Sequence, residues 1–180
     1  PGLIGSLLVG VNAAKGISYG LDIPLIGVNH LEGHLLAIFL QEQIKFPFIS
    51  LVVSGGHTDL YRVDNFGSYK ILGRTRDDAA GESFDKVAKM LGHKYPGGPI
   101  IEKIAKEGNK DAHKFPRAYL EKDSLDFSFS GVKTSVKTFI NKKQKNNIPG
   151  LSDQDIAAGF QEAVVEVLSK KIIMACQREG

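Results

Sequence analysis

Apolar and polar positions follow several different periods along this chain, and each change of period marks a different element. Residues 3–11 are almost wholly apolar, broken by Gly5, Ser6 and Gly10 and then by Asn12 and Lys15. The run is far shorter than the roughly 20 apolar residues of a membrane span and lacks the basic start of a signal peptide, so it reads as a buried helix. Ile23-Pro24-Leu25-Ile26-Gly27-Val28 reads as a buried strand, and Leu35 to Leu40, with no breaker, as helix. Two β-rich runs between Phe48 and Val63 flank Ser54-Gly55-Gly56-His57, the composition of a tight hairpin turn. Asn65-Phe66-Gly67 marks another turn and Tyr69 to Gly73 a third strand, which makes an antiparallel meander.

Helical spacing then takes over. Phe84, Val87, Ala88 and Leu91 recur on one face, with Asp77-Asp78 as caps. Tyr95-Pro96-Gly97-Gly98-Pro99 is a stiff loop; Pro99 suits the first turn of a helix from Ile100 to Lys106, with Glu102 in that first turn. Leu125 to Gly131 alternates like a strand, Val132 to Ile140 reads as a basic helix, and Asn141 to Asn147 as a polar linker. Ser152 with Asp155 three residues on is a capping-box variant. It opens a long helix whose core stripe is Ile156, Phe160, Val164, Leu168 and Ile172.

His30-Leu31-Glu32-Gly33-His34 carries the sharpest chemistry. Side chains four residues apart leave the same face of a helix, so two imidazoles at this spacing can share one metal ion. Leu31, Leu35 and Phe39 form the adjoining apolar stripe. The same pattern also suits two partly exposed histidines with no ligand, but only five histidines occur in 180 residues, which favours the metal. A zinc-peptidase helix has its general base directly after the first histidine. Here the carboxylate is Glu32, two residues on and about 200° around the helix, so that mechanism lacks its base. Two histidines also fall short of the three protein ligands of a catalytic metal, and no other His, Cys or Asp is an obvious third by spacing.

Composition narrows the classes. At 180 residues and 42% apolar content the chain can bury a core of one or two domains. A net charge of +3 is too mild to establish nucleic-acid binding by itself. The single cysteine, Cys176, excludes an internal disulfide and fits a reducing compartment. Pro1-Gly2 leads straight into an apolar helix and the last helix runs to Gly180, which suggests a segment of a longer protein.

Three further sets of residues are candidates. Glycines in Ser54-Gly55-Gly56 let a ligand approach the backbone, whose N–H groups can nest an anion. A hairpin also uses Gly-Gly for turn reasons alone, and this is no Walker loop, since Gly-Lys-Ser/Thr is missing and a strand follows. Asp85, beside the apolar stripe of its helix, reads first as a solvated carboxylate. Lys133, Lys137, Lys142, Lys143 and Lys145 can track phosphates or simply form a solvated face.

A meander with a glycine hairpin, followed by helices, resembles a lobe of the actin/sugar-kinase/heat-shock-protein superfamily (the actin-like ATPase, ASKHA, fold). Five motifs narrow this: His30-Leu-Glu-Gly-His34, Val53-Ser-Gly-Gly-His-Thr58, Asp77-Asp-Ala-Ala-Gly-Glu-Ser-Phe-Asp-Lys86, Tyr95-Pro-Gly-Gly-Pro99 and Phe127-Ser-Phe-Ser-Gly-Val-Lys-Thr134. Their order resembles that of the TsaD-type tRNA threonylcarbamoyltransferases, formerly labelled glycoproteases or O-sialoglycoprotein endopeptidases, over essentially the whole chain.

The resemblance implies an α/β fold with a mixed sheet, an antiparallel meander and flanking helices, incomplete relative to the family. Residues 1–44 would end a first lobe, and residues 45–180 would form a second actin-like lobe lacking its last strand. It implies an acyltransferase of tRNA modification, moving threonylcarbamoyl from threonylcarbamoyl-AMP to the exocyclic amine of the adenosine 3′ of the anticodon, in tRNAs reading codons that begin with adenine. A metallopeptidase and a non-catalytic scaffolding paralogue are the alternatives, and the fragment alone is expected to be inactive. His30 and His34 would be metal ligands, to iron(II) first and zinc second, with the third protein ligand outside this chain. Val52, Val53, Ser54, Gly55 and Gly56 would hold the donor's phosphate and acyl region, and Asp85, Gly98 and Glu102 its nucleoside. Expected partners are tRNA and either a paralogous actin-like subunit with an ATPase or a kinase-containing complex. No membrane is involved, and the location is cytoplasmic, with an organellar version left open.

Overall fold

The computed structural model describes residues 4–121, 123–146 and 151–180, apart from the side chains of 144–146. The chain divides into two compact units, Pro1–Ile44 and Lys45–Gly180.

In the first unit, helix α1 spans Ile4–Leu21 and helix α2 His30–Leu36, followed by a 3₁₀ turn over Ala37–Leu40. The expected first helix forms, but it is not buried: no residue of α1 is buried, and Val9 is 72% exposed. Its apolar residues point around the whole circumference, so burial needs neighbours on several sides. The other regular elements described in this unit are only α2 and its 3₁₀ turn. Nor do residues 23–28 form a strand, and Ile26 and Val28 are largely exposed. Extended backbone becomes a strand only when a neighbour pairs its N–H and C=O groups, and the described sheet lies wholly in the second unit.

The second unit begins with β1 (Phe48–Val53), β2 (Thr58–Asn65) and β3 (Ser68–Arg74), an antiparallel sheet in the order β1-β2-β3. Phe48 faces Val63 and Val53 faces Thr58 across the first hairpin. The second hairpin turns at Gly67, whose φ of 67° is the left-handed conformation glycine adopts without cost. Helices α3 (Ala80–Met90), α4 (Gly97–Ala105), α5 (Ser130–Asn146) and α6 (Asp153–Glu179) follow. Pairing among the described strands is antiparallel, and the parallel component is a single bridge between Thr75 and Phe127.

Residues 125–131 keep the expected period of two in burial but form only that bridge. Leu125, Phe127 and Phe129 point into the core. Their backbone is satisfied by the end of β3: Phe127 N–H donates to Arg74 C=O and Arg76 N–H to Phe127 C=O, both at 3.0 Å. The polar linker expected at 141–147 is helix through Asn146, because Lys, Gln and Asn continue a helix unless a breaker intervenes; residue 147 lies outside the described residues. α4 starts at Gly97, three residues before the expected start, so Glu102 stands in its second turn.

α6 is the central helix and packs on α4, α5 and β1. Ser152 and Asp155 cap it reciprocally, each side chain accepting the other's N–H. Ile156 to Phe160 are buried in succession, so this part of α6 is covered on all sides. The buried face continues through Val164 and Val167 to Lys171, with Leu168 and Ile172 half-buried against it. Lys171 is a charge the stripe did not anticipate. Its ammonium donates to the Ser124 carbonyl, and burial pushes its pKa down.

On the outer face of α6, Glu166 accepts from Lys170 (2.7 Å), Arg117 (2.8 Å) and the Tyr119 hydroxyl (3.1 Å). Hydrogen bonds from Lys170 and then Arg117 lower its pKa from 4.5 to about 2. A carboxylate depressed on folding stabilises the fold above its unfolded value and loses that contribution as pH falls. Between pH 4.5 and 2, unfolding free energy should therefore fall less steeply in Glu166→Gln than in wild type, as read by denaturant titration. Parallel curves would show that the cluster contributes nothing.

Candidate functional site

In α2, the Asn29 side chain accepts the N–H groups of Leu31 (2.9 Å) and Glu32 (3.2 Å), so the helix starts at His30. Asparagine is a strong N-cap; standing directly before His30, it is a signal that the motif alone does not convey. The spacing then does what it predicts. The His30 and His34 rings meet edge to face at 4.5 Å between centroids, with their Nε2 atoms 2.8 Å apart. Leu35, on the adjoining stripe, is buried, with Leu31 and Phe39 half-buried. Among the described residues, no group of three or more His, Cys, Asp or Glu side chains gathers as a metal site.

The hairpin loop of the second unit is organised by its own serine. Ser54 N–H donates to His57 C=O at 2.8 Å, while Gly56 N–H and His57 N–H converge on the Ser54 hydroxyl at 3.3 and 3.0 Å. Val52 is buried beneath the loop and Val53 is exposed. A Cβ added at Gly55 or Gly56 would meet no atom within 4 Å, so the loop is open on that side.

Against this loop lies the start of α3. Its N-cap, Ala79, has no side-chain cap bond. The hairpin supplies partners for two of the otherwise orphan N–H groups of the first turn. Ala80 N–H donates to the buried Thr58 hydroxyl at 2.8 Å, and Gly81 N–H to Ser54 C=O at 3.2 Å. A Cβ at Gly81 would lie 2.6 Å from that carbonyl oxygen, so only glycine permits this approach. One turn on, Asp85 is no solvated carboxylate: it accepts Gly97 N–H at 2.7 Å and ties α3 to the start of α4. Gly98 follows Gly97, and Glu102 stands one turn beyond Gly98, exposed and paired with Lys106 at 3.0 Å. Contacts thus join Ser54 to α3 through Gly81 and Asp85 to the start of α4 through Gly97.

Asp77 and Asp78 do not cap the N–H groups of α3: Asp77 turns towards the start of α5, and Asp78 binds one lysine of α5 and one of α3. Asp77 accepts the hydroxyls of Ser128 and Ser130 at 2.6 Å each and the N–H groups of Phe129 (2.8 Å) and Ser130 (3.2 Å). Burial opposes its ionisation, but these bonds outweigh it and hold its pKa below the ordinary aspartate value. Asp78 accepts Lys86 at 2.8 Å and Lys133 at 2.5 Å, and is likewise lowered against the opposing effect of burial.

The lysines separate into different roles. Lys133 is engaged by Asp78, and Lys143 by Asp153 at 3.2 Å. Lys137 and Lys142 are exposed but lie about 140° apart around α5. The Lys145 side chain is outside the described residues. The four described positions do not form one continuous stripe.

The antiparallel sheet with its following helices is an α/β arrangement, and with the family match it is a piece of a protein of the actin-like ATPase fold type. The model of the family described as TsaD, tRNA N6-adenosine threonylcarbamoyltransferase, matches residues 1–180, and the chain belongs to that family. It is 56% identical over 181 residues to the tRNA N6-adenosine threonylcarbamoyltransferase of Clostridioides difficile strain 630, covering 100% of this chain and 53% of the relative. To the protein of that name from Thermodesulfovibrio yellowstonii it is 57% identical over 182 residues, covering 99% and 54%. The Syntrophotalea carbinolica protein of that name is 55% identical over 180 residues, covering 100% and 52%. The chain spans about half the length of the curated relatives it matches. No helix among the described residues is long and apolar enough to cross a membrane.

Proposed function

We propose that the full-length protein transfers threonylcarbamoyl from threonylcarbamoyl-AMP to the exocyclic amine of the adenosine 3′ of the anticodon, releasing AMP. The observation that carries this reading is the family match along residues 1–180. Within it, residues 1–44 end a first lobe and residues 45–180 belong to a second.

His30 and His34 are the residues to hold a metal, iron(II) or zinc. Two imidazoles suit either ion. Their Nε2 atoms lie 2.8 Å apart on one helix face, close enough that both would be available to a single ion. When bound, the ion supplies a positive centre that polarises or anchors a carbonyl oxygen. The loop Val52–Gly56 holds the phosphate and acyl region. Its Gly56 and His57 N–H groups already converge on one oxygen, and a phosphate oxygen is a stronger acceptor for such donors than a hydroxyl. Asp85 has one oxygen on Gly97 N–H, which orients the carboxylate to accept a nucleoside donor with the other. Gly98, with open space beside it, and Glu102 complete that side. The partners are tRNA and either an actin-like paralogue with an ATPase or a kinase-containing complex, in the cytoplasm or an organelle.

A metallopeptidase is disfavoured because Glu32, two residues after His30, points away from the paired rings. A scaffolding paralogue has no use for a converged histidine pair. Full-length protein with its partners, given threonylcarbamoyl-AMP and tRNA, should yield threonylcarbamoyladenosine, measured by mass spectrometry of digested tRNA, with one AMP per modification. Peptide cleavage without tRNA modification under the same conditions would replace this reading with the peptidase one.

A further inference from the structure

The contacts between α3 and α5 assign a separate role to the residues around Asp77 and Asp78. We infer that Asp77, Asp78, Ser128, Ser130 and Lys133 form a clasp that fixes α3 against the glycine loop. On this inference Lys133 is a positioning residue for the donor site and not a contact to nucleic acid. It rests on the donor-binding role proposed for the loop.

The geometry runs continuously from one end to the other. The Asp77 carboxylate caps the start of α5 with four hydrogen bonds, two from hydroxyls and two from backbone N–H groups. The Asp78 carboxylate receives Lys133 from α5 and Lys86 from α3. Its own carbonyl receives the Thr75 hydroxyl at 2.8 Å, and Thr75 N–H donates to Thr58 C=O at 2.9 Å. Thr58 in turn accepts Ala80 N–H, and Gly81 lies on Ser54. Asp77 and Asp78 therefore stand directly before the helix that carries both Gly81 and Asp85; Asp77 is held by the start of α5, and Asp78 by Lys133 of α5 together with Lys86 of α3 itself. With no room for even a methyl group between Gly81 and the Ser54 carbonyl, a small displacement of α3 must move the loop or break the contact. It also carries Asp85 away from Gly97. Such misplacement lowers the affinity or rate of a site without removing any group that touches the ligand.

Lys133 is the member whose role is open to decision. Its side chain is 21% exposed and that of Asp78 14% exposed, so the pair is partly desolvated. A lysine that reaches phosphate contributes about one unit to the salt dependence of nucleic-acid binding; a lysine committed to Asp78 contributes none.

The test uses the full-length protein with its partners. Lys133→Gln should raise KM for threonylcarbamoyl-AMP about tenfold with kcat changed less than about threefold. The slope of log tRNA affinity against log salt should stay at its wild-type value. Lys133→Arg, which keeps the charge, should restore KM to within about threefold. Hydrogen exchange gives a readout independent of donor: amides of residues 54–57 and 80–83 should exchange faster in Lys133→Gln, while those of the buried part of α6 should not. A lower salt slope with unchanged donor KM would make Lys133 a phosphate contact and overturn the clasp. Unchanged KM, slope and exchange would overturn it as well. If wild-type protein fails to bind the donor, the proposed role of the loop falls, and the exchange measurement still decides whether the clasp orders it.

Discussion

Full-length protein carrying both His30→Ala and His34→Ala is expected to lose its bound metal and to transfer threonylcarbamoyl at least about a thousandfold more slowly, with its fold intact. The two Nε2 atoms meet at 2.8 Å from adjacent turns of one helix, so removing both rings leaves no paired donors. The fold should survive because alanine is the best helix former. The Asn29 cap acts through backbone N–H groups that the substitutions leave in place. Each single variant should also lose metal, since neither imidazole alone provides a chelating pair. Elemental analysis of the purified protein, beside a thermal melt and a tRNA modification assay, checks this. Wild-type metal content in the double variant would remove the histidines from the metal site.

Gly55→Val should weaken binding of threonylcarbamoyl-AMP by about a hundredfold or more while the protein remains folded. A side chain at Gly55 meets nothing within 4 Å, and its φ is not among the left-handed values that exclude one. The protein therefore has no reason to rearrange, and the added isopropyl group occupies only the space outside the loop. If a phosphate sits there, steric exclusion is severe. Ser54→Ala should weaken binding by less than about tenfold, because it removes the hydroxyl on which two N–H groups converge and leaves the backbone donors available. Calorimetric titration of both variants decides the matter. Equal donor affinity in wild type and Gly55→Val would show that the phosphate lies elsewhere.

Neither experiment concerns a residue that was hard to find. Four-residue spacing and a Gly-Gly turn are local features, and both were legible because their geometry depends on backbone conformation within a few residues. The same holds for the meander, for the Ser152–Asp155 capping box and for the buried stripe of α6. The resemblance read from the order of the motifs agrees with the family match over residues 1–180.

Errors arose where a property depended on a distant neighbour. Residues 23–28 have a strand's composition, but a strand exists only when a partner takes up its backbone groups. α1 has a buried helix's composition, but burial belongs to whatever packs on it. Asp77 and Asp78 precede α3 and have the residue type of its caps, yet their carboxylates serve a helix some 50 residues further on. The bond from Gly97 to Asp85 could not be read locally, because a helix end and a loop separate the two. Lys171 is no part of the stripe read from the sequence, and its burial depends on the Ser124 carbonyl, 47 residues away in the chain.

By itself, then, the sequence determined the meander and the order of the helices after it, which residues share a face, and which family the chain belongs to. Those features are set by steric preferences and side-chain periods within one or two turns of backbone. Only the tertiary structure decided which carboxylate caps which helix, which lysine is already neutralised, and how closely α3 approaches the glycine loop. Each of these is a pairing between segments remote in the chain, and hydrogen bonds and ion pairs form where packing brings donor and acceptor within about 3 Å, a distance that no local pattern encodes.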